Sequence, residues 1–222
     1  MFELKCVLFD LDGTLVDTAP DLIASLNYAL THHGFNPVEA YKVRPYISYG
    51  AVAMINKANV DANEEIKANI LETLLNYYQA NILHHGGLFD GMGATLALIE
   101  EKGLKWGVIT NKQQRLSVPL MEALALTDRA ACLISGDSCN HSKPHPEPML
   151  TACTHAAVNP KDCVYIGDAK HDMIAGRAVN MKTLAAIYGY LTVDDKPETW
   201  QADALVQSPK QINEWINKAL CC

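Results

Sequence analysis

The chain has 222 residues, enough for one large domain or for a core domain with a smaller insert. Hydrophobic residues make up 49% of the sequence and charged residues 19%, a composition that excludes a disordered chain and supports a packed core. The net charge of −7 provides no basic surface for nucleic acid and argues against binding to anionic membranes.

The cysteines indicate a reduced protein. Seven are present, but the sequence contains no Cys-x-x-Cys pair. Several lie in apolar runs, where cysteine behaves as a small buried hydrophobe, and the adjacent Cys221 and Cys222 end the chain. The first residues already belong to an apolar strand, and no apolar run approaches the ~20 residues of a membrane span. We therefore expect a cytoplasmic protein without a membrane anchor.

The first predicted element is a strand over Cys6–Phe9 that ends in two acidic residues. A continuous apolar run of this kind is typical of a strand buried on both faces, and ligands bind at the carboxyl ends of such strands. Gly13 lets the chain turn sharply, so Asp10 and Asp12 face one small site. Two carboxylates at one point repel unless a cation or a shared proton relieves them. The pattern favours a metal site, although an Asp-Gly turn in solvent is the simpler alternative.

A purely helical segment follows, from about Asp17 to His85. Thr18 and Asp21 have the spacing of a capping box at the start of its first helix. The longest helix is predicted over Asn63–Leu83, and His84–Gly87 is expected to be a flexible exit. This segment is an insert between the first strand and the next one.

From Gly91 onward, strands and helices alternate, which predicts a parallel sheet with helices on both faces. The expected helices are Thr95–Lys102, Gln114–Leu126, Glu147–Ala156, Asp172–Val179 and Lys210–Ala219. The expected strands are Trp106–Ile109, Cys132–Ile134, Val164–Ile166, Thr183–Ile187 and a short one near Leu205-Val206.

Polar residues recur where these strands end. Thr110 follows one strand, Lys143 lies in a Ser-Lys-Pro loop, and Asp168 and Asp172 form a Gly-Asp-x-x-x-Asp motif. Each motif alone is weak. Together with the first Asp-x-Asp-Gly-Thr string, and in this order, they resemble the four motifs of the haloacid dehalogenase-like (HAD) phosphohydrolase superfamily.

Within that superfamily, the strings Asp-Thr-Ala-Pro-Asp, Thr-Asn-Lys and Ser-Lys-Pro-x-Pro-Glu-Pro are similar to the phosphoglycolate phosphatase group. Longer strings, including Trp-Gly-Val-Ile-Thr-Asn-Lys and Tyr-Gly-Tyr, are similar to N-acetylmuramic acid 6-phosphate phosphatases. The resemblance implies a doubly wound, Rossmann-like parallel-sheet core formed by residues 1–16 and 88–222. It also implies an α-helical cap domain inserted at residues 17–87.

The resemblance further implies Mg²⁺ as the cofactor and a small phosphate ester as the substrate. Asp10 and Asp168 would ligate the metal by side chain and Asp12 by its backbone carbonyl. Asp172 would be a ligand or would hold one in place. Asp10 would attack phosphorus to form an aspartyl-phosphate, and Asp12 would protonate the leaving oxygen and later activate water.

The same resemblance assigns the groups that hold the substrate. Thr110, Asn111 and Lys143 would hold the phosphoryl oxygens, and Gly13 is counted with the substrate-binding positions. Arg44 is the only arginine of the helical insert and precedes a loop that reaches toward the substrate in family caps. We expect it to bind an anionic group of the substrate other than the phosphate.

Several alternatives stay open. The substrate is phosphoglycolate or N-acetylmuramic acid 6-phosphate, and a sugar phosphomutase would keep every core residue. Asp172 is also explained as an acid favoured by a helix N-terminus, and Lys143 as a solvated loop lysine. The adjacent histidine pairs His32-His33 and His84-His85 lack the spacing of zinc ligands. The sequence does not decide between a monomer and a homodimer.

Overall fold

A six-stranded parallel sheet forms the centre of the structure, a computed structural model that describes residues 2–221. The strand order is β5-β4-β1-β6-β7-β8. This arrangement confirms the predicted doubly wound α/β core. The strands are β1 Cys6–Phe9, β2 Val16–Asp17, β3 Gly87–Leu88, β4 Lys105–Ile109, β5 Leu133–Ile134, β6 Cys163–Gly167, β7 Lys182–Ala186 and β8 Ala204–Val206.

Helices cover both faces of this sheet and fill the insert. Those of the insert are α1 Ala19–His32, α2 Ala40–Val43, a 3₁₀ helix Arg44–Tyr49, α3 Ala51–Lys57 and α4 Glu64–Ala80. The core helices are α5 Met92–Glu101, α6 Gln114–Ala123, α7 Glu147–Ala156, α8 Lys170–Ala178 and α9 Pro209–Leu220.

Strand β1 lies at the centre of the sheet because its side chains are apolar on both faces. Val7 and Phe9 join one buried cluster, which contains residues of α5 and α9. Cys6 and Leu8 join another, which contains residues of α7 and α8. All four side chains are fully buried, so the strand has no solvated face. Its carboxyl end therefore opens between β4 and β6, which both pair with it in parallel.

The helical insert has a hydrophobic cluster of its own. Helices α1 and α4 pack together through Leu26, Leu30, Ile70 and Leu74, which are fully buried. Tyr190 of the core joins the same cluster. The insert therefore packs as a helical layer that also contacts the core.

The two connections between insert and core are paired with each other. Strand β2 pairs with β3 in an antiparallel ribbon. The Asp21 carboxylate accepts the backbone N–H groups of His85 at 2.8 Å and Gly86 at 2.9 Å. The exit segment, expected to be flexible, is therefore held by hydrogen bonds.

The predicted capping box is wrong, because both of its side chains are used elsewhere. Thr18 does occupy the N-cap of α1, but its hydroxyl donates to Asp12 at 2.5 Å rather than capping the helix. Asp21 is turned toward the exit segment.

Helix α4 ends at Ala80, three residues before the predicted end at Leu83. The Asn81 side chain donates to the Tyr77 carbonyl at 2.8 Å, and Leu83 has a positive φ of 58°, which stops a right-handed helix. Pro119 is tolerated inside α6, which starts at Gln114 as expected. Within residues 2–221, no helix is long and apolar enough to cross a membrane. The described cysteines are all free, and Cys222 lies outside the described residues.

We expect the Asp21 carboxylate to hold the exit segment closed. Hydrogen bonds to a charged acceptor are worth about 1.5–3 kcal/mol, so Asp21→Ala should speed amide exchange at His85 and Gly86 by about tenfold or more. Hydrogen exchange followed by mass spectrometry measures this directly. The matched control is Asp90→Ala, since Asp90 is exposed beyond the same segment. Equal exchange in both variants would contradict the role given to Asp21.

Candidate active site

A cavity of about 400 Å³ lies between the carboxyl ends of the strands and the helical insert. The core contributes polar and charged groups to its wall, namely Asp10, Asp12, Thr110, Asn111, Lys112, Gln113 and His171, together with Leu116. The insert contributes a mainly apolar wall, formed by Leu22, Ile47, Ser48, Tyr49, Gly50, Ala51, Val52, Met54, Leu71 and Leu75. The cavity therefore has a charged floor and an apolar roof.

Lys143 is a buried cation beneath this floor, where it contacts Asp10 without itself lining the cavity. Its Nζ lies 2.7 Å from Asp10 Oδ1, 2.8 Å from Asp172 Oδ1 and 2.9 Å from the Ile109 carbonyl oxygen. The Tyr165 hydroxyl is also 2.7 Å from Nζ. The side chain is 1% exposed, so the sequence-based alternative of a solvated loop lysine is wrong.

Burial and neighbouring charges set the protonation of this cluster. Burial raises the pKa of Asp10 to about 7, even though Lys143 opposes the shift. Burial raises the pKa of Asp172, but the Lys143 ammonium, His171 and the Ala169 N–H together outweigh burial and hold this pKa below its usual value. Burial lowers the pKa of Lys143, but Asp10 and Asp172 raise it by more than burial lowers it. The net shift is upward, so the lysine stays charged.

Asp168 has the features of a metal ligand. Its Oδ2 accepts hydrogen bonds from Ser48 Oγ at 2.7 Å and from the Tyr190 N–H at 2.8 Å. Its Oδ1 is buried without a hydrogen-bond partner among the described residues. Burial and the charge of Asp10 raise the pKa of Asp168 well above its usual value. Oxygens of Asp10, Asp168 and Asp172 lie within 4.8 Å of one another, and this carboxylate set fits a hard divalent cation.

The two oxygens of Asp172 are already engaged. Oδ1 accepts from Lys143 Nζ and from the Tyr165 hydroxyl, the latter at 3.1 Å. Oδ2 accepts the Ala169 N–H at 3.1 Å, at the N-terminus of α8. The helix terminus therefore accounts for one oxygen, and the buried ion pair accounts for the other.

Asp12 is not one of the three clustered carboxylates. Its Oδ1 accepts from Lys112 Nζ at 2.9 Å as well as from Thr18. The Lys112 side chain is 7% exposed, and its Nζ lies 4.4 Å from the centroid of the Tyr78 ring. Burial lowers the pKa of Lys112, but Asp12 and Tyr78 together raise it by more, which keeps this lysine charged.

Thr110 and Asn111 lie at the end of β4, and both line the cavity. The Thr110 hydroxyl accepts the Lys112 N–H at 3.1 Å. The Asn111 side-chain amide bonds both backbone groups of Lys143, at 3.0 Å each, and so fixes the lysine loop. Gly13 has a positive φ of 85°, and a Cβ there would collide with the Asp168 carboxylate. The site therefore requires glycine at this position.

The structure does not place Arg44 among the residues that line the cavity. Its guanidinium lies 3.4 Å from Asp17 Oδ2 and 4.8 Å from the centroid of the Tyr190 ring. His171, by contrast, lines the cavity, and burial lowers the pKa of its imidazole. His171 is therefore neutral at pH 7.

Sequence reasoning missed Tyr190, Tyr165 and Ser48. Tyr190 donates from its backbone to Asp168, and its hydroxyl donates to Asp17 Oδ1 at 2.6 Å and accepts the Ala19 N–H at 2.9 Å. A tyrosine inside a buried strand needs a partner for its hydroxyl, which was the available signal for Tyr165. No sequence signal singles out Ser48 within its aromatic loop.

Tyr190→Phe should reduce the free energy of unfolding by about 1–3 kcal/mol, since it removes two hydrogen bonds of the connection to the insert. Urea denaturation measures the change. Tyr188→Phe is the matched control, because its hydroxyl donates only to the Thr14 carbonyl at 2.9 Å. A loss for Tyr190→Phe no larger than for the control would contradict a linking role for this hydroxyl.

The pKa of Asp10 predicts how pH and a divalent cation act together. Because this pKa is about 7 in the folded protein against an ordinary value of 3.8, the metal-free protein loses stability as pH rises between these values. A cation takes the place of the proton. Mg²⁺ should therefore raise the melting temperature more at about pH 8 than at about pH 5.5. Thermal denaturation checks this, and a larger rise at acidic pH would contradict it. Asp168→Asn is the control that should lose the effect.

Comparisons with known proteins show the family to which the chain belongs. The model of the haloacid dehalogenase-like hydrolase family matches residues 7–186. The chain is 39% identical over 222 residues to the N-acetylmuramic acid 6-phosphate phosphatase of Pseudomonas aeruginosa, covering 99% of this chain and 97% of that protein. It is 39% identical over 210 residues to the phosphoglycolate phosphatase of Xanthomonas campestris, covering 95% of each.

A solved structure described as a predicted phosphoglycolate phosphatase from Haemophilus somnus has the same fold. It superposes with a TM-score of 0.86 at 24% sequence identity and covers 97% of this chain and 99% of that one. The predicted resemblance is confirmed: the chain belongs to the haloacid dehalogenase-like hydrolase family.

Proposed function

We propose that this enzyme is a Mg²⁺-dependent phosphomonoesterase that works through an aspartyl-phosphate on Asp10. The observation that carries the proposal is the Asp10 carboxylate at the cavity floor, 2.7 Å from the Lys143 ammonium and beside the unpaired Asp168 oxygen. A carboxylate that attacks a dianionic ester needs positive charge beside it, which Lys143 supplies in part and a divalent cation at the carboxylates would complete.

In the first step, an Asp10 oxygen attacks phosphorus and the ester P–O bond breaks. In the second, water attacks the same phosphorus and releases inorganic phosphate and the free carboxylate. Mg²⁺, when bound, would supply charge neutralisation and orientation of the phosphoryl oxygens. Lys143 keeps Asp10 in place and neutralises part of its charge, while Thr110, Asn111 and the Gly13 turn border the phosphoryl group.

Asp12 is proposed as the general acid and base. It gives its proton to the leaving alcohol and takes one from the attacking water. Thr18 and Lys112 fix the position of Asp12 outside the metal cluster, and both donate to Oδ1, so Oδ2 is the oxygen that would carry the transferred proton.

The proposed metal ligands are the side chains of Asp10 and Asp168 and the backbone carbonyl of Asp12. Asp168 Oδ1 supports this assignment, because it is buried without a hydrogen-bond partner among the described residues. Since both oxygens of Asp172 already accept hydrogen bonds, we assign it to holding Lys143 and the start of α8 rather than to ligating metal.

Residues 17–87 are proposed to act as a cap domain that opens for the substrate and closes to exclude water during reaction. Ser48 supports this proposal, because this insert residue donates directly to Asp168. The paired connections β2 and β3 are the place where the backbone would bend.

N-acetylmuramic acid 6-phosphate is the substrate that the cavity favours. Relatives of equal identity carry this name and the name phosphoglycolate phosphatase, so names alone do not decide. The cavity is roomy and its cap wall is apolar, which suits the acetamido and lactyl methyl groups of the sugar acid. Phosphoglycolate has a single CH₂ group to place there. Arg44 pairs with Asp17, which does not support the prediction that Arg44 binds the carboxylate of the substrate. Lys112 is the lysine that lines the cavity.

Phosphate release from a panel of esters tests the function. The wild-type enzyme should hydrolyse N-acetylmuramic acid 6-phosphate with a kcat/KM at least about tenfold above that for phosphoglycolate, a difference of about 1.4 kcal/mol. Asp10→Asn should fold normally and release no phosphate, because an amide cannot form the acyl phosphate. Phosphate release by purified Asp10→Asn would contradict the proposed mechanism. Isomerised sugar phosphate without phosphate release would instead identify a phosphomutase.

A larger side chain in the cap wall should impair hydrolysis of N-acetylmuramic acid 6-phosphate but not hydrolysis of phosphoglycolate. Ala51 lines the cavity, so Ala51→Phe should raise KM for N-acetylmuramic acid 6-phosphate about tenfold and leave phosphoglycolate hydrolysis nearly unchanged. Steady-state kinetics on both esters measures the difference. Ala53→Phe is the control, since Ala53 lies on the same helix but not in the cavity wall. Equal losses on both substrates would refute the role of this wall in selectivity.

A further inference from the structure

A second group of metal-ligating side chains lies on the surface near the lysine loop. It consists of His141, His145 and Glu147, with one donor atom from each within 4.8 Å of the others. The two imidazoles are about half exposed or more, and the Glu147 side chain is 29% exposed. None of these residues takes part in the proposed reaction.

The carboxylate of this group is held in place by the backbone. Glu147 accepts the N–H groups of His141 at 3.0 Å and Asn140 at 3.3 Å. Its Oε2 lies 2.8 Å from His141 Nδ1 and 4.0 Å from His145 Nδ1. The two histidine rings are stacked, with centroids 4.2 Å apart and an angle of 25° between their planes. Two imidazole nitrogens and a fixed carboxylate oxygen therefore share one small region.

The ring nitrogens are suited to bind a cation. The Glu147 N–H donates to His145 Nδ1 at 3.2 Å, so this nitrogen is an acceptor, and a metal ion would take its lone pair from that N–H. His141 Nδ1 contacts Glu147 Oε2, and a metal ion can replace the proton between them. Ligands of tetrahedral zinc lie about 3.3 Å apart, and each imidazole binds the ion in its own ring plane, so binding requires the two stacked and exposed rings to rotate apart around the ion.

We propose that His141, His145 and Glu147 form a binding site for a late first-row divalent cation, of which Zn²⁺ is the best match. Zn²⁺ binds imidazole nitrogen and carboxylate oxygen together and completes its tetrahedron with water. Mg²⁺ prefers oxygen ligands in an octahedron, so it does not compete for this site.

The position of the site links it to the catalytic loop. His141 and His145 flank Ser142-Lys143-Pro144, and Lys143 bonds Asp10 and Asp172. A bound ion ties both ends of this short loop to the first turn of α7, where Glu147 lies. Binding should therefore stabilise the folded protein.

The experiment is a calorimetric titration of the full chain with Zn²⁺ in excess Mg²⁺, which keeps the aspartate cluster occupied. The wild type should bind one Zn²⁺, and its melting temperature should rise with Zn²⁺. His141→Ala and His145→Ala should each weaken this binding by at least about tenfold and lose the thermal shift, since even outer-shell changes cost 10–100-fold. Glu147→Gln is a third variant, which should weaken Zn²⁺ binding less than the two histidine variants do.

His155→Ala is the matched control, an exposed histidine at the other end of α7 that should leave Zn²⁺ binding unchanged. Melting temperatures without Zn²⁺ show that each variant is folded. Zn²⁺ binding that persists in both histidine variants would place the ion at the aspartate cluster and overturn the proposal. Absence of Zn²⁺ binding to the wild type would overturn it as well.

Discussion

One buried ammonium among three buried carboxylates is the interaction on which this site depends. Lys143 Nζ bonds Asp10 and Asp172 directly, and Asp168 lies beside them with an unpaired oxygen. With all three carboxylates ionised, the cluster carries two more negative charges than positive ones. Burial makes that excess costly, which explains why the pKa values of Asp10 and Asp168 are raised. A divalent cation would remove the excess, so the need for a metal follows from charge balance as well as from family membership.

The fold supplies this cluster through the ends of its central strands. Asp10 follows β1, Asp168 follows β6, and the carbonyl of Ile109 at the end of β4 accepts from Lys143. The same site is connected to the insert. Ser48 donates to Asp168, while Tyr190 contacts Asp168 with its backbone and Asp17 with its hydroxyl. Movement of the insert therefore changes contacts to a proposed metal ligand, which links cavity closure to the electrostatics of the floor.

The order of the sequence motifs was sufficient to predict the α/β core and the convergence of buried carboxylates at the strand ends. Apolar strands followed by Asp10, Thr110 and Asp168 indicate one shared site, because the carboxyl ends of parallel strands meet at one edge. Contacts between distant segments were not predictable. Thr18 and Asp21 have capping-box spacing, but the Thr18 hydroxyl donates to Asp12 and the Asp21 carboxylate accepts from the exit segment instead. Arg44 was singled out by its charge, yet its partner Asp17 lies 27 residues away, and local sequence carries no signal of that pairing.

The central claim is that Asp10 carries the phosphoryl group, and trapping the intermediate tests it most directly. Enzyme quenched during steady turnover can be treated with borohydride, which reduces an acyl phosphate to the alcohol, and then digested for mass spectrometry. The mechanism predicts homoserine at position 10, at a yield that disappears when substrate is omitted. Homoserine at another aspartate, or unmodified Asp10 in enzyme that is turning over with the intermediate accumulated, would contradict it.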